Sequence, residues 1–172
     1  MNRIGVRILG LDPGLNHTGW GVVDIEGNNL RFVACGRVSA PVSQQHGMGE
    51  RLNAVFCGLL KIIEQHRPDE AAVEETFVNK NAASALKLGM ARGIVMLAPA
   101  NSGIPVCEYG ANLIKKSISG YGHADKAQVA QMVKILLPAA DFTSPDAADA
   151  LAVAICHAHH RSLPEILRKA AS

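Results

Sequence analysis

The sequence lacks the patterns by which several enzyme classes are identified. Its 172 residues contain no G-x-x-x-x-G-K-[ST] loop, no H-E-x-x-H helix and no G-x-S-x-G elbow, which argues against a P-loop nucleotide site, a zinc protease and a serine hydrolase. No apolar run reaches the ~18 residues that a membrane helix needs, and residues 1–3 lead into a strand-like run, not a signal peptide. We therefore expect a soluble, cytoplasmic protein with no membrane contact.

Cysteine and histidine occur in no metal-binding pattern. The four cysteines are scattered without a C-x-x-C pair, so we expect reduced, buried thiols at Cys35, Cys57, Cys107 and Cys156. His157, His159 and His160 end a helical pattern, where cations complement the helix dipole. A chain of this length and apolar content fits one core, and we expect a single domain over residues 1–172, with 1–6 and 163–172 peripheral.

Basic residues are concentrated in the middle of a chain whose net charge is only +2. Between residues 78 and 135 there are seven basic residues and two acidic ones, Glu108 and Asp125. The basic residues are Lys80, Lys87, Arg92, Lys115, Lys116, Lys126 and Lys134. Such a bias is often only a solvated face, but with a suitable site beside it, it indicates nucleic-acid binding.

The hydrophobic periodicity predicts a mixed α/β domain, in which three strands precede alternating helices and strands. Residues 6–11 are apolar at nearly every position, as in a central strand covered on both faces. Strands at 20–25 and 30–38, with turn residues between them, complete an antiparallel meander. The remaining predictions are helices at 52–63, 81–100, 128–137 and 145–160, a helical turn near residue 114, and strands at 71–74 and 104–107.

Four acidic residues are placed where they can meet at one end of this sheet. Asp12 and Glu74 each end an apolar strand, where a carboxylate carries a desolvation cost unless solvent or a cation meets it. Asp146 and Asp149 lie three residues apart on one face of the last helix, which Ser144 is expected to cap. Acids in a first turn alone would only complement the helix dipole. If the two strands are neighbours, however, all four carboxylates converge.

A site of four carboxylates without Cys or His matches the hard oxygen ligands that Mg²⁺ and Mn²⁺ prefer. Two such ions about 3.5–4 Å apart can activate water and stabilise the leaving oxygen of a phosphodiester. With the basic segment beside it, this donor set indicates a metal-dependent nuclease.

Five stretches, in order along the chain, resemble the RuvC family of Holliday junction resolvases. They are Leu9 to Gly14 with Thr18-Gly19, Ala72 to Glu74, Lys80 to Gly89, Ala124 to Val129, and Asp146 to Ala152. Each alone is weak, but all of them in order are specific, and the resemblance covers about residues 8–159. The resemblance implies a ribonuclease H-like fold, with a five-stranded mixed sheet flanked by helices. It also implies resolution of four-way DNA junctions by paired symmetric nicks, in recombination and repair.

The resemblance also assigns roles to individual residues. It places the catalytic, metal-binding carboxylates on Asp12, Glu74, Asp146 and Asp149, with two Mg²⁺ ions per site and Mn²⁺ able to substitute. Phe77 matches the aromatic residue that the family places against bases at the crossover. Lys115 and Lys126 match basic positions near the cleaved strand, while Lys80 and Lys87 are expected to contact the DNA backbone by charge. A branch-migration helicase of the RuvA–RuvB type is the implied protein partner.

Glu75 departs from the neutral residue expected beside the catalytic glutamate. Alternation along a strand should point its side chain away from Glu74 and from the site.

Oligomeric state follows from the reaction. Two symmetric nicks need two sites and this domain holds one, so we expect a two-fold homodimer with the Ala-rich helix at 81–100 as its interface.

Three alternative functions stay open from the sequence alone. One is an ATPase of the actin or sugar-kinase superfamily, against which the length of a single domain argues. Another is a related nuclease that processes RNA. The last is a module that binds branched DNA without cutting it.

Overall fold

The central element is a mixed sheet whose middle strand carries Asp12 at its carboxyl end. The computed structural model describes residues 5–41, 47–75, 81–120 and 122–161. This part of the chain forms the strands β1 (Val6–Asp12), β2 (His17–Glu26), β3 (Asn29–Ser39), β4 (Glu70–Glu74) and β5 (Val106–Tyr109), in the spatial order β3-β2-β1-β4-β5. β1, β2 and β3 are antiparallel neighbours, whereas β4 and β5 run parallel to β1. The predicted mixed sheet of five strands is confirmed.

Helices cover both faces of the sheet in the described ranges. They are α1 (Met48–His66), α2 (Ala82–Asn101), α3 (Ala111–Ser119), α4 (Lys126–Leu136) and α5 (Pro145–His160). Alternate residues of β1 face opposite cores: Leu9 packs in the core under α1 and α2, and Ile8 in the core under α3, α4 and α5. A central strand covered in this way has to be apolar throughout, as the sequence indicated.

Local sequence signals explain where several elements begin and end. Gly27, at a φ of 58°, turns β2 into β3, and Arg67, at a φ of 48°, ends α1 immediately before Pro68. The Asn81 side chain accepts hydrogen bonds from two backbone N–H groups at the start of α2. Asp125 and Gln128 form a capping box at the start of α4. These caps fix the helix ends that border the site.

Three sequence expectations need correction. α3 is a nine-residue helix, not the single turn expected near residue 114. α5 is buried around almost its whole circumference from Ala147 to Ala158, where one core-facing stripe was expected. The four cysteines are free, but Cys57 is exposed, because it lies on the outer face of the amphipathic helix α1; Cys35 and Cys107 are only partly buried.

The structure also bears on the expectations for the histidines, the two ends of the chain and membrane contact. His157 is buried and hydrogen-bonded to Tyr109 and Glu70, which is a structural role. Val6, at the boundary of the expected peripheral start, already pairs with β2. Residues 162–172 lie outside the described ranges, and the single domain over 1–172 stays a prediction. Among the described helices, none is both long and apolar enough to cross a membrane.

Candidate active site

Asp12 and Glu74 meet at the carboxyl ends of two neighbouring parallel strands. β1 and β4 are in register from Ile8 beside Glu70 to Leu11 beside Val73, so the next residue along each strand is a carboxylate. Both acids are only partly buried. The condition on which the sequence argument depended, that the two strands be neighbours, is fulfilled.

Glycines in β1 and β2 let the backbone of α5 lie directly on the sheet. A Cβ atom at Gly19, the partner of Asp12 across β1 and β2, would lie 2.0 Å from the backbone oxygen of Asp146. A Cβ atom at Gly10 would lie 2.2 Å from the backbone oxygen of Ala150. Only glycine permits so close an approach. The start of α5, and with it Asp146 and Asp149, is thereby held beside Asp12.

Three of the four predicted carboxylates line one open pocket of about 330 Å³. They are Asp12, Glu74 and Asp149, and Lys115 from α3 and Lys126 from α4 are the basic residues among the described part of the lining. Asp146 does not line this pocket. It stands beside it at the start of α5, where its carboxylate accepts a hydrogen bond of 3.3 Å from the Ser144 hydroxyl.

Burial and neighbouring carboxylates raise the pKa values of Asp12 and Glu74. Burial, followed by the charges of Glu74, Asp149 and Asp146, raises the pKa of Asp12 to about 8, while Lys126 acts in the opposite direction. Burial and the charge of Asp149 also raise the pKa of Glu74, against the lysines Lys126 and Lys115. A site that disfavours its own negative charge to this degree attracts cations.

In this structure a lysine provides part of the positive charge that the clustered carboxylates attract. The Lys126 ammonium donates a hydrogen bond of 2.9 Å to Asp149, whose side chain is 19% exposed. This bond and the charges of Asp149, Asp12 and Glu74 raise the pKa of Lys126. No group of three or more His, Cys, Asp or Glu side chains in the described ranges is drawn together closely enough to enclose a metal ion. The donor chemistry nevertheless fits Mg²⁺, because all the candidate ligands are carboxylate oxygens.

Of the described residues that the sequence predicted to contact DNA, two line the pocket and one does not. Lys87 is exposed on α2 and does not line the pocket, whereas Lys115 and Lys126 do. Phe77 and Lys80 lie outside the described residues, so their predicted roles stay predictions.

The position of Glu75 and the hydrogen bond of the Ser144 hydroxyl differ from what the sequence predicted. Glu75 lines the pocket together with Glu74. It lies one residue beyond the end of β4, where strand alternation no longer applies, and its backbone N–H donates to the carbonyl of Tyr109. Ser144 occupies the N-cap position of α5, but its hydroxyl makes no capping bond because it bonds to Asp146 instead.

The glycines were the functional residues that sequence reasoning did not single out. A signal was present, because glycine inside a strand commonly marks a close backbone approach. Gly10, Gly19 and Gly21 all lie inside β1 or β2, and Gly10 pairs with Gly21 across them.

Comparisons with known proteins agree with this geometry. A family model described as crossover junction endodeoxyribonuclease RuvC matches residues 8–157. A protein of that name from Afipia carboxidovorans is 59% identical over 167 residues, which cover 97% of this chain and 96% of the relative. The chain belongs to the RuvC family. A RuvC from Nitrobacter hamburgensis is 56% identical over 171 residues, with 99% of each chain covered.

Solved structures extend the comparison to the fold. A Thermus thermophilus RuvC in complex with a Holliday junction substrate matches with a TM-score of 0.84 and 34% identity, over 93% of this chain and 97% of that one. The yeast mitochondrial Holliday junction resolvase Ydc2 matches with a TM-score of 0.62 at 13% identity, over 99% of this chain and 87% of that one, which shows the fold alone. The expected ribonuclease H-like fold is confirmed.

Membership of the RuvC family settles the reaction class. The chain is a crossover junction endodeoxyribonuclease, which hydrolyses phosphodiester bonds with the help of a divalent metal ion. This excludes the ATPase and the binding-only module that the sequence left open, and it favours DNA over RNA as the substrate.

Proposed function

We propose that this RuvC-family chain resolves four-way DNA junctions by paired symmetric nicks, in cytoplasmic DNA recombination and repair. The observation that carries the proposal is the convergence of Asp12, Glu74 and Asp149 in one pocket, with Asp146 beside it, at the meeting point of β1, β4 and α5. The solved Thermus thermophilus relative holds a Holliday junction substrate, which supports the same substrate here.

The four carboxylates Asp12, Glu74, Asp146 and Asp149 would hold Mg²⁺, two ions in each site, with Mn²⁺ able to substitute. When bound, the ions supply an activated water and stabilise the charge on the leaving oxygen. The chain itself contributes rigid placement of the donors. Gly10 and Gly19 fix the distance of α5 from the sheet, and small displacements of such groups can cost about 10²-fold in rate.

DNA contacts are proposed for the basic residues around the pocket. Lys115 and Lys126 line it, which supports a role for both in neutralising the phosphate that is cut. Lys87, exposed on α2, is proposed to contact the DNA backbone farther away. Lys80 and Phe77 keep the backbone and base-stacking roles that the family resemblance implies.

The dimer interface is proposed on the outer face of α2. Leu86, Met90 and Leu97 are 63%, 41% and 50% exposed, and with exposed Gly93 they follow helical spacing along one face. An exposed apolar stripe of this kind normally packs against another protein surface. A second copy of the chain, placed on this stripe by a two-fold axis, would supply the second site that a paired cut requires. A helicase of the RuvA–RuvB type is proposed as a further partner from the family resemblance.

The function is tested by offering the purified protein three substrates in Mg²⁺: a four-way DNA junction, a linear duplex of the same sequence and a structured RNA. We expect rapid cutting of the junction at symmetric positions on two opposite strands, with little cutting of the other two. Equal cutting of all three substrates would contradict the junction assignment. Chelation of the metal should abolish cutting, and Mn²⁺ should restore it.

A further inference from the structure

The four residues that join β1 to β2 border the active-site pocket. Asp12 is the last residue of β1 and His17 the first of β2, so residues 13–16 directly follow a proposed metal ligand, and Pro13 lines the pocket. The pairing of β1 with β2 ends where Asp12 lies beside Gly19. Residues 13–16, which we call the β1–β2 loop, therefore extend past the end of this ladder, and other groups have to hold them.

Two hydrogen bonds tie the β1–β2 loop to the hairpin that follows it. The buried Thr18 hydroxyl donates to the carbonyl of Gly14 over 3.2 Å. The backbone N–H of Ala40, just after β3, donates to the carbonyl of Asn16 over 2.9 Å. Both bonds relate the loop to β2 and β3, and neither relates it to a helix.

Arg51 ties the same loop to a helix on the opposite face of the sheet from α5. It lies near the start of α1, whose Val55 packs in one core while Leu151 of α5 packs in the other. The Arg51 guanidinium donates over 2.6 Å to the side-chain oxygen of Asn16 and makes a longer bond of 3.4 Å to the carbonyl of Leu15. Because the donor carries a charge, such bonds are stronger than those between neutral groups.

The helix that carries Arg51 is itself fixed. The backbone N–H of Gly47 donates to the Glu50 carboxylate over 2.9 Å, and the N–H of Arg51 donates to the carbonyl of Gly47 over 3.2 Å. Farther along α1, a Cβ atom at Gly58 would lie 2.6 Å from the side chain of Val38, so this helix packs closely on β3. Arg51 thus holds the β1–β2 loop from a rigid support.

The connection between Arg51 and the pocket is mechanical. Arg51 does not line the pocket. Among the described residues, the charges that shift the pKa of Asp12 come from Lys126 and the other carboxylates of the site, and not from Arg51. The bonds to the β1–β2 loop are therefore its connection to the site, and their effect on Asp12 has to be one of position.

We propose that Arg51 is a positioning residue for cleavage, which keeps Asp12 in place among the other carboxylates by holding the β1–β2 loop. The inference rests on the proposed function and adds to it a residue from the opposite layer of the fold. The loop begins with Pro13, whose ring restricts the backbone of the residue before it, so a shift of the loop is passed to Asp12. A displacement of about 1 Å in such a group can cost about 10²-fold in rate. Loss of Arg51 accordingly acts on the rate of cutting more than on DNA binding.

The test compares the removal of two arginines. Arg51→Ala deletes the bonds to the loop together with an Nε atom that is buried and has no hydrogen-bond partner in the described ranges. Since such an atom costs stability, the variant should fold. Arg161→Ala is the matched control, because Arg161 donates two hydrogen bonds to Glu70 at the end of β4 away from the pocket. Urea unfolding, junction affinity with Ca²⁺ replacing Mg²⁺, and single-turnover cleavage at saturating protein are measured for each.

We expect Arg51→Ala to cut about tenfold or more slowly than the parent, with junction affinity within about threefold because the phosphate contacts are unchanged. Arg161→Ala should unfold at a lower urea concentration and cut at nearly the parental rate. Arg51→Lys should recover part of the rate, because an ammonium can donate to one of the two loop oxygens. A folded Arg51→Ala that cuts like the parent, or no more slowly than Arg161→Ala, would overturn the proposal. A parent that cuts no junction would instead contradict the proposed function.

Changes at Asn16 test the same bond while Arg51 stays in place. Asn16 is exposed, so its variants should fold. Asn16→Ala removes the acceptor of the shorter bond and should slow cleavage at saturating protein, whereas Asn16→Asp keeps an acceptor and should cut near the parental rate. Asn16→Ala added to Arg51→Ala should slow cutting little further, because both remove one interaction. Equal rates for Asn16→Ala and Asn16→Asp would overturn the proposal.

A readout without DNA separates positioning from the junction assignment. If the loop sets the place of Asp12, Arg51→Ala should need severalfold more Mg²⁺ for half-maximal thermal stabilisation, and Arg161→Ala should need as much as the parent. An unchanged Mg²⁺ requirement in Arg51→Ala would overturn the proposal, whatever substrate the protein cuts.

Discussion

Lys126 and Asp149 form an ion pair across the active-site pocket, with 2.9 Å between the ammonium nitrogen and the carboxylate oxygen. The lysine side chain is 81% exposed and can swing away. A metal ion bound by Asp149 would compete with this ammonium, and can displace it, since both are cations that bind the same carboxylate. The displaced lysine is then free to meet a DNA phosphate.

Lys126→Gln should therefore bind Mg²⁺ more tightly in the absence of DNA, because a competing positive charge is removed. We expect the Mg²⁺ concentration for half-maximal thermal stabilisation to fall severalfold, while junction cleavage falls as a phosphate contact is lost. Lys116→Gln serves as the control, because Lys116 is exposed on α3 and does not line the pocket. A Lys126→Gln protein that needs more Mg²⁺ than the parent would show that the lysine does not compete with the metal.

Gly19→Ala should displace the start of α5. The added Cβ would meet the backbone oxygen of Asp146 at 2.0 Å, and backbone cannot yield as a flexible side chain can. Overpacking of this kind costs about 1–3 kcal/mol of stability, and misplaced carboxylates should lower the cleavage rate about 10²-fold or more.

The control for this variant is Gly49→Ala in α1, where no atom of the described residues lies within 4 Å of the added Cβ. This substitution should be neutral or stabilising by up to about 1 kcal/mol. Urea unfolding and single-turnover cleavage of both proteins make the comparison. If Gly19→Ala cut the junction at the parental rate, the close approach of α5 would not be what positions the site.

The exposed stripe of α2 predicts the oligomeric state. Met90→Glu places a charge in the middle of the apolar face proposed as the dimer interface, and burial of that charge should dissociate the dimer. Light scattering should report a dimer for the parent and a monomer for the variant, which should cut junctions poorly and without paired nicks. Ile135→Glu on α4 alters another exposed apolar residue and should remain dimeric. If Met90→Glu remained a dimer, the interface would have to lie on another part of the chain.

The hydrogen bonds to the Glu70 carboxylate predict that the stability of the protein depends on pH. Hydrogen bonds from Arg161 chiefly, and from His157, hold the pKa of Glu70 below its usual value of 4.5 against the effect of burial. A depressed carboxyl pKa contributes stability that is present above about pH 4.5 and is lost as the pH falls through the folded-state value.

Glu70→Gln should consequently lower the free energy of unfolding at pH 7, and the difference from the parent should shrink below about pH 4. Paired urea titrations at the two pH values measure this directly. Glu64→Gln, in which an exposed glutamate of α1 is changed, is the control. A difference that does not change with pH would mean that the ion pair contributes nothing through ionisation.

The fold was predictable because its signals are local. The apolar run of β1, the turn at Gly27 and the amphipathic pattern of α1 each act within a few residues. The convergence of Asp12 with Asp149 was predictable only in part, because it depends on which strands are neighbours. The position of Glu75 and the bond of Ser144 to Asp146 were predicted wrongly or missed, since both depend on how a strand end and a helix start meet in space.

Asp12→Asn tests the central claim, that these carboxylates cut the junction. The change keeps the size of the side chain and replaces a carboxyl group whose ionisation burial, Glu74 and Asp149 already disfavour, so folding should survive. Cleavage and gel-shift are measured on the same four-way junction in Mg²⁺, with circular dichroism to check folding. We predict that cleavage falls at least 10²-fold while binding persists, because the basic residues are unchanged. A folded Asp12→Asn protein that cuts near the parental rate would contradict the account.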